Sequence, residues 1–122
     1  MPRGLVSEHG EQAALVRRLR KARLRFAAMV NGAHVTKKQA AKLVAEGLEK
    51  GAPDIVIFDP PPLVGGCVGT VVEMKREGAP DSDLRDEQRK FLQDLRDRGW
   101  WVIIGRGCME AWDKLREAGY DV

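Results

Sequence analysis

A chain of 122 residues, 43% hydrophobic and 32% charged, has the size of one domain and enough apolar material for one core, which excludes both a disordered tail and two independent domains. No apolar run approaches the ~18 residues of a membrane span, and residues 1–10 lack a signal-peptide pattern, so the expected setting is the cytoplasm with no membrane partner. Cys67 and Cys108 stand alone, without the spacing of a disulfide framework or a zinc site, and core packing is their expected role.

The net charge of +3 is unevenly spread. Residues 1–50 carry 11 Lys/Arg against 4 Asp/Glu, and Arg17, Arg18, Arg20, Lys21, Arg23 and Arg25 fall close together. Such a cluster attracts a polyanion by releasing its counterions, although a solvated helix face has the same composition.

Ser7 is suited to an N-cap, and Leu15, Val16, Leu19 and Ala22 recur at helical spacing, predicting a helix over 8–23 with a basic outer face. Residues 24–30 read as a short strand, placed at a sheet edge by the charge of Arg25, and Asn31-Gly32 as a turn. Thr36 with Gln39 has capping-box spacing, so a second helix starts near Lys37 and runs through Leu43, Val44 and Leu48 before Gly51. The run 54–58 is β-branched and ends at Asp59 and three prolines, which marks a buried strand. Residues 60–69 read as a loop and 70–75 as a second central strand. A third helix places Leu84, Gln88, Phe91, Leu92 and Leu95 on one face, starting at Leu84 or as early as Ser82, and ends at Gly99. A strand over 100–104 follows, then a Gly105-Arg106-Gly107 turn and a last helix with Met109, Trp112 and Leu115 inward. Alternating helices and strands around one core imply a single α/β domain over 1–122, a central mixed sheet flanked by helices.

Alternation along a strand puts Glu73 and Lys75 on one face and Met74 on the other. If the strand that Asp54 begins pairs with this one, a second carboxylate approaches the Glu73–Lys75 pair. Two carboxylates suit a hard divalent cation such as Mg2+, whose Lewis acidity assists phosphodiester hydrolysis while a neighbouring lysine orients water or neutralises developing charge. A plain surface ion pair is the alternative for Glu73 and Lys75. Against it stands their place at the end of a strand otherwise apolar enough to be buried, where charges are rare.

These residues carry a resemblance. Gly51-Ala52-Pro53-Asp54 followed by Glu73-Met74-Lys75 resembles the PD-(D/E)XK nuclease signature, and more narrowly the virus-type replication-repair nuclease domain, VRR-NUC. Further family features are matched in order by Glu8, Glu11 and Gln12, by Asn31-Gly32, by Ala45-Glu46-Gly47, by Glu87-Gln88, by Gly99-Trp100 and by Arg106-Gly107. Val30 replaces the family's usual proline, and Arg85 and Asp86 stand where a serine is common.

The resemblance implies a restriction-endonuclease-like fold, with Asp54, Glu73 and the Met74 main-chain carbonyl as metal ligands and Lys75 at the attacking water. It also implies an acid from the first helix, with Glu11 preferred and Glu8 kept; favourable placement of acids at a helix N-terminus explains both equally well. Gln88, an amide on an apolar stripe, is expected to orient Lys75 or a phosphate. Arg17, Arg18, Lys21, Asn31, Lys37 and Lys38 are the candidate DNA contacts. The implied cofactor is Mg2+ with Mn2+ as substitute. The implied substrate is branched DNA cut by a Holliday-junction-resolvase-like homodimer, in a bacterial or phage-infected cell. Rival readings are a non-catalytic DNA-binding protein on the same fold, a nuclease for flaps, nicks or single strands, and an interaction module in which Glu73 and Lys75 merely pair. The glycines at 65–69 lack the lysine and helix of a phosphate-binding loop, His9 and His34 lack metal partners, and the three tryptophans read as packing residues, with one of Trp100 and Trp101 left over for a dimer contact.

Overall fold

A computed structural model of the chain describes residues 6–29 and 35–122. The elements follow in the expected order: α1 (Glu8–Lys21), β1 (Phe26–Ala28), α2 (Lys37–Ala45), β2 (Ile55–Ile57), β3 (Gly69–Lys75), a 3-10 turn (Asp81–Asp83), α3 (Asp86–Asp97), β4 (Trp100–Arg106) and α4 (Cys108–Glu117). The described strands form one mixed sheet in the order β1-β2-β3-β4. β1 pairs antiparallel with β2, and β2 with β3, whereas β3 and β4 run parallel because α3 supplies the crossover between them.

Alternation along these strands divides the core into two layers. On one face Ile55, Ile57, Val72, Met74 and Ile103 pack with Leu15 and Leu19 of α1 and with Ala111 and Leu115 of α4. On the other, Val56 and Val71 pack with Leu92 of α3, joined by Leu84, Leu95, Trp100, Val102 and Ile104. Every residue of β3 is buried, including Glu73 and Lys75. The fold is therefore α/β, with helices on both faces of a four-stranded mixed sheet.

Several expectations are corrected. Of the expected strand 24–30, β1 covers Phe26–Ala28; the Arg25 N–H donates to the Asp59 carboxylate at 2.7 Å instead of a strand carbonyl, and Val30 lies outside the described residues. α2 stops at Ala45, before Leu48, because the Leu48 N–H turns back to the Leu43 carbonyl at 2.8 Å. α3 begins at Asp86 rather than at Leu84 or Ser82. Ser82 belongs to the 3-10 turn, Leu84 is extended, and the Arg85 N–H donates to Gln88 Oε1 at 2.9 Å as the new helix opens. Met109 is exposed instead of inward; the inner face of α4 is Cys108, Ala111, Leu115 and the following Ala118. Trp100 and Trp112 pack against the two core layers, whereas Trp101 remains 39% exposed on β4. Asn31, Gly32 and His34 lie outside the described residues.

Candidate active site

The β2–β3 register pairs Ile55 with Val72, which carries Asp54 to the level of Glu73. The Asp54 N–H donates to the Val72 carbonyl at 3.1 Å, and the Met74 N–H donates to Asp54 Oδ2 at 2.7 Å. Asp54 thus continues the ladder with its main chain and then again with its side chain. The turn before it is held by close contact. Gly51 has φ +86°, and a Cβ there would sit 2.4 Å from the Glu87 main-chain oxygen, so glycine lets this turn lie directly on the start of α3.

Glu73, Lys75 and Gln88 form a buried polar network. Lys75 Nζ lies 3.5 Å from Glu73 Oε2 and donates to Gln88 Oε1 at 3.1 Å, while Gln88 Nε2 donates to Glu73 Oε2 at 3.0 Å. Gln88 therefore shares its oxygen between Lys75 and the Arg85 N–H and gives its nitrogen to the acid. Glu73 is only 2% exposed, and its other oxygen, Oε1, is buried without a hydrogen-bond partner among the described residues. Burial, then the charge of Asp54, push the Glu73 carboxyl up to about 8. Burial also raises Asp54, against the stabilising Met74 N–H.

Glu8 supplies the third acid. Among the described residues, Glu8, Asp54 and Glu73 each place a carboxylate oxygen within 4.8 Å of the others. That spacing suits three oxygens around one hard cation with bonds of ~2.0–2.4 Å. The unpartnered Glu73 oxygen and the raised acids agree with it, because a cation removes both the missing contact and the mutual repulsion. The residues present fit a divalent metal.

Glu11, the acid preferred on the sequence, lies elsewhere. One turn beyond Glu8 it is buried, and its Oε2 accepts from the Cys108 N–H at the start of α4. Gly107, the N-cap there, offers no side chain of its own; its φ is +91°, and an added Cβ would stand 3.1 Å from Glu11 Oε2. Glu11 thus caps α4 from a distant part of the chain and ties it to α1.

The acids open into a cleft of about 770 Å³. Lys50, Lys75 and Arg85 line it, together with Gln88, Met29, Ala40, Val44 and Leu48. Lys50 and Arg85 were not anticipated; each directly neighbours a motif residue or lies one turn from Gln88, which is the signal that finds them. None of the cations expected to bind DNA lines this cleft. Arg17 is exposed and lines a shallow depression with His9, Gln12 and Arg20. Arg18 stacks its guanidinium 3.8 Å from the centre of the Trp112 ring. Lys21, Lys37 and Lys38 are exposed on the last turn of α1 and the first turn of α2. Asn31 is outside the described residues.

Comparison with known proteins gives a consistent result. The family model of the VRR-NUC domain matches residues 6–108. A solved structure described as a VRR_NUC domain protein superposes with a TM-score of 0.76 at 16% identity, over 97% of this chain and 91% of that one. No curated protein matches the sequence.

Proposed function

The chain belongs to the VRR-NUC nuclease family, and on that premise we propose that it is a Mg2+-dependent, structure-selective endodeoxyribonuclease. The observation that carries the reading is the convergence of Glu8 of α1, Asp54 just before β2 and Glu73 of β3 beside a buried Lys75. Those three carboxylates would hold the ion, with the Met74 carbonyl. Residue 74 sends its N–H toward Asp54, and in a strand the C=O of the same residue points the same way. When bound, Mg2+, or Mn2+ in its place, supplies Lewis acidity to a phosphate oxygen. Lys75 lies beside Glu73, where its ammonium orients the attacking water and offsets charge developing on the phosphorane oxygens. Gln88 is a positioning residue, holding both Lys75 and Glu73 so that neither turns away. Glu11 positions Glu8 by fixing α1 to α4.

The proposed substrate is branched DNA, with a four-way junction cut by a homodimer. Symmetric cleavage needs two sites related by a two-fold axis, and the exposed Trp101 on β4, an edge of the described sheet, supports a contact between copies. The exposed cations of α1 support a grip on the backbone away from the cut.

The test is incubation with labelled junction, flap, duplex and single-stranded DNA, with Mg2+, Mn2+ or EDTA. Metal-dependent cutting that falls at least ~100-fold in both Asp54→Asn and Lys75→Ala is the expected result. Undiminished cutting by either variant removes that residue from the mechanism. Sedimentation as a monomer with junction cleavage intact removes the dimer.

A further inference from the structure

We infer that the cleft beside the acids takes one unstacked nucleoside of the DNA strand, held against an apolar wall made by Met29, Ala40, Val44 and Leu48. The inference rests on the nuclease reading and names the state of the DNA at the cut. α2 is the starting point. Each of the other three α-helices buries two or three residues, whereas α2 buries none. Its apolar residues Ala40 and Val44, one turn apart, instead line the cleft, joined by Leu48 just beyond the helix and by Met29 after β1. Val44 is 61% and Met29 39% exposed, so large apolar side chains face open space in the same cleft as the Glu8, Asp54 and Glu73 carboxylates and a buried lysine.

A phosphate seated at the acids brings its own nucleosides with it. In a paired duplex the base faces are stacked on one another inside the helix and the strand offers mainly phosphates and sugars, which leaves an apolar wall no base face to cover. An unstacked nucleoside offers sugar and base faces that the wall can cover. The cations that line the cleft, Lys50, Lys75 and Arg85, serve the phosphates. At about 770 Å³ the cleft has the size of a small-ligand site, fitting a nucleotide rather than a docked protein, whose interface buries ~1,200–2,000 Å². Selectivity follows, because unstacking costs a few kcal/mol in paired DNA and least where a base is already unpaired, as at a branch point.

The test uses the full chain with Ca2+ in place of Mg2+ and a short duplex carrying 2-aminopurine, either fully paired or with a mismatched tract around the probe. Binding is read by anisotropy and unstacking by 2-aminopurine fluorescence. The mismatched DNA should bind at least ~10-fold more tightly and brighten on binding. Val44→Ser should weaken that binding about 5–10-fold and Val44→Leu should keep it; the side chain is too exposed for either change to unfold the protein. Equal affinity for the two duplexes, or no effect of Val44→Ser, overturns the inference. Hydrolysis of bis(4-nitrophenyl) phosphate by the unaltered protein, with Mg2+ or Mn2+, separates the two failures. If that diester is cleaved, only the nucleoside wall falls; if neither it nor any DNA is cleaved, the nuclease reading falls and takes the wall with it.

Discussion

The two faces of the sheet divide the work of the molecule. Toward α1 and α4 the strands present Ile55, Ile57, Val72, Met74 and Ile103, and the one buried polar residue of β3 on that side, Thr70, is satisfied by the Tyr120 hydroxyl at 2.7 Å. Toward α3 the same strands start apolar, at Val56 and Val71, and end in Glu73 and Lys75. One seven-residue strand thus serves a dry core and a charged site at once, because its side chains alternate. The dry face stabilises the fold, whereas the charged face costs stability and is offset by the network with Gln88.

The comparison is broken most directly on the dry face. Leu15→Ala should lower unfolding free energy by ~2–5 kcal/mol, measured by denaturant titration, because the fully buried site leaves a cavity. Asp54→Asn on the charged face should leave stability near that of the parent while abolishing cleavage. A matching loss of stability in both would erase the distinction between faces.

A finer contrast lies within α1, between Glu11 and Glu8. Glu11→Ala removes the cap of α4 and strands the Cys108 N–H, and should cost about 1–3 kcal/mol of stability. Glu8→Ala, at an exposed position, should cost little stability but weaken Mg2+ binding in calorimetry. The reverse pattern would exchange their roles.

A last contrast is in pH dependence. Glu73, raised in the fold to about 8 from an ordinary 4.5, favours the folded state while protonated. Its contribution is fully present below about pH 4.5 and is lost as pH rises through about 8. Thermal melts without metal should therefore lose this contribution between those values. Mg2+ should restore it at the alkaline end, with tighter binding at pH 8 than at pH 6, and Glu73→Gln should flatten both trends. A pH-independent response to Mg2+ would show that Glu73 does not bind as the carboxylate.

The order of elements, the mixed sheet and the shared face of Glu73 and Lys75 were legible in the sequence, because strand alternation and capping spacing are local rules; Asp54 was joined to them only through an assumed strand pairing and the family resemblance. Gln88 was legible as an amide on an apolar stripe. The choice between Glu8 and Glu11 was not, since both stand in the first turn of one helix and only its packing against α4 decides which carboxylate turns inward to Cys108. The start of α3 was missed for a similar reason. Leu84 continues the apolar stripe of α3 and Ser82 and Asp83 suit a helix cap, but the 3-10 turn and the Gln88–Arg85 hydrogen bond shift the helix to Asp86.

What the sequence by itself determined is periodicity: which residues share a face of one strand or one helix. Only the tertiary structure decided which faces meet. Glu8 stands on α1, Asp54 just before β2 and Glu73 on β3, and no local rule measures the space between them. The exposed wall of α2 likewise became visible only in the tertiary structure, which buries residues of α1, α3 and α4 but none of α2.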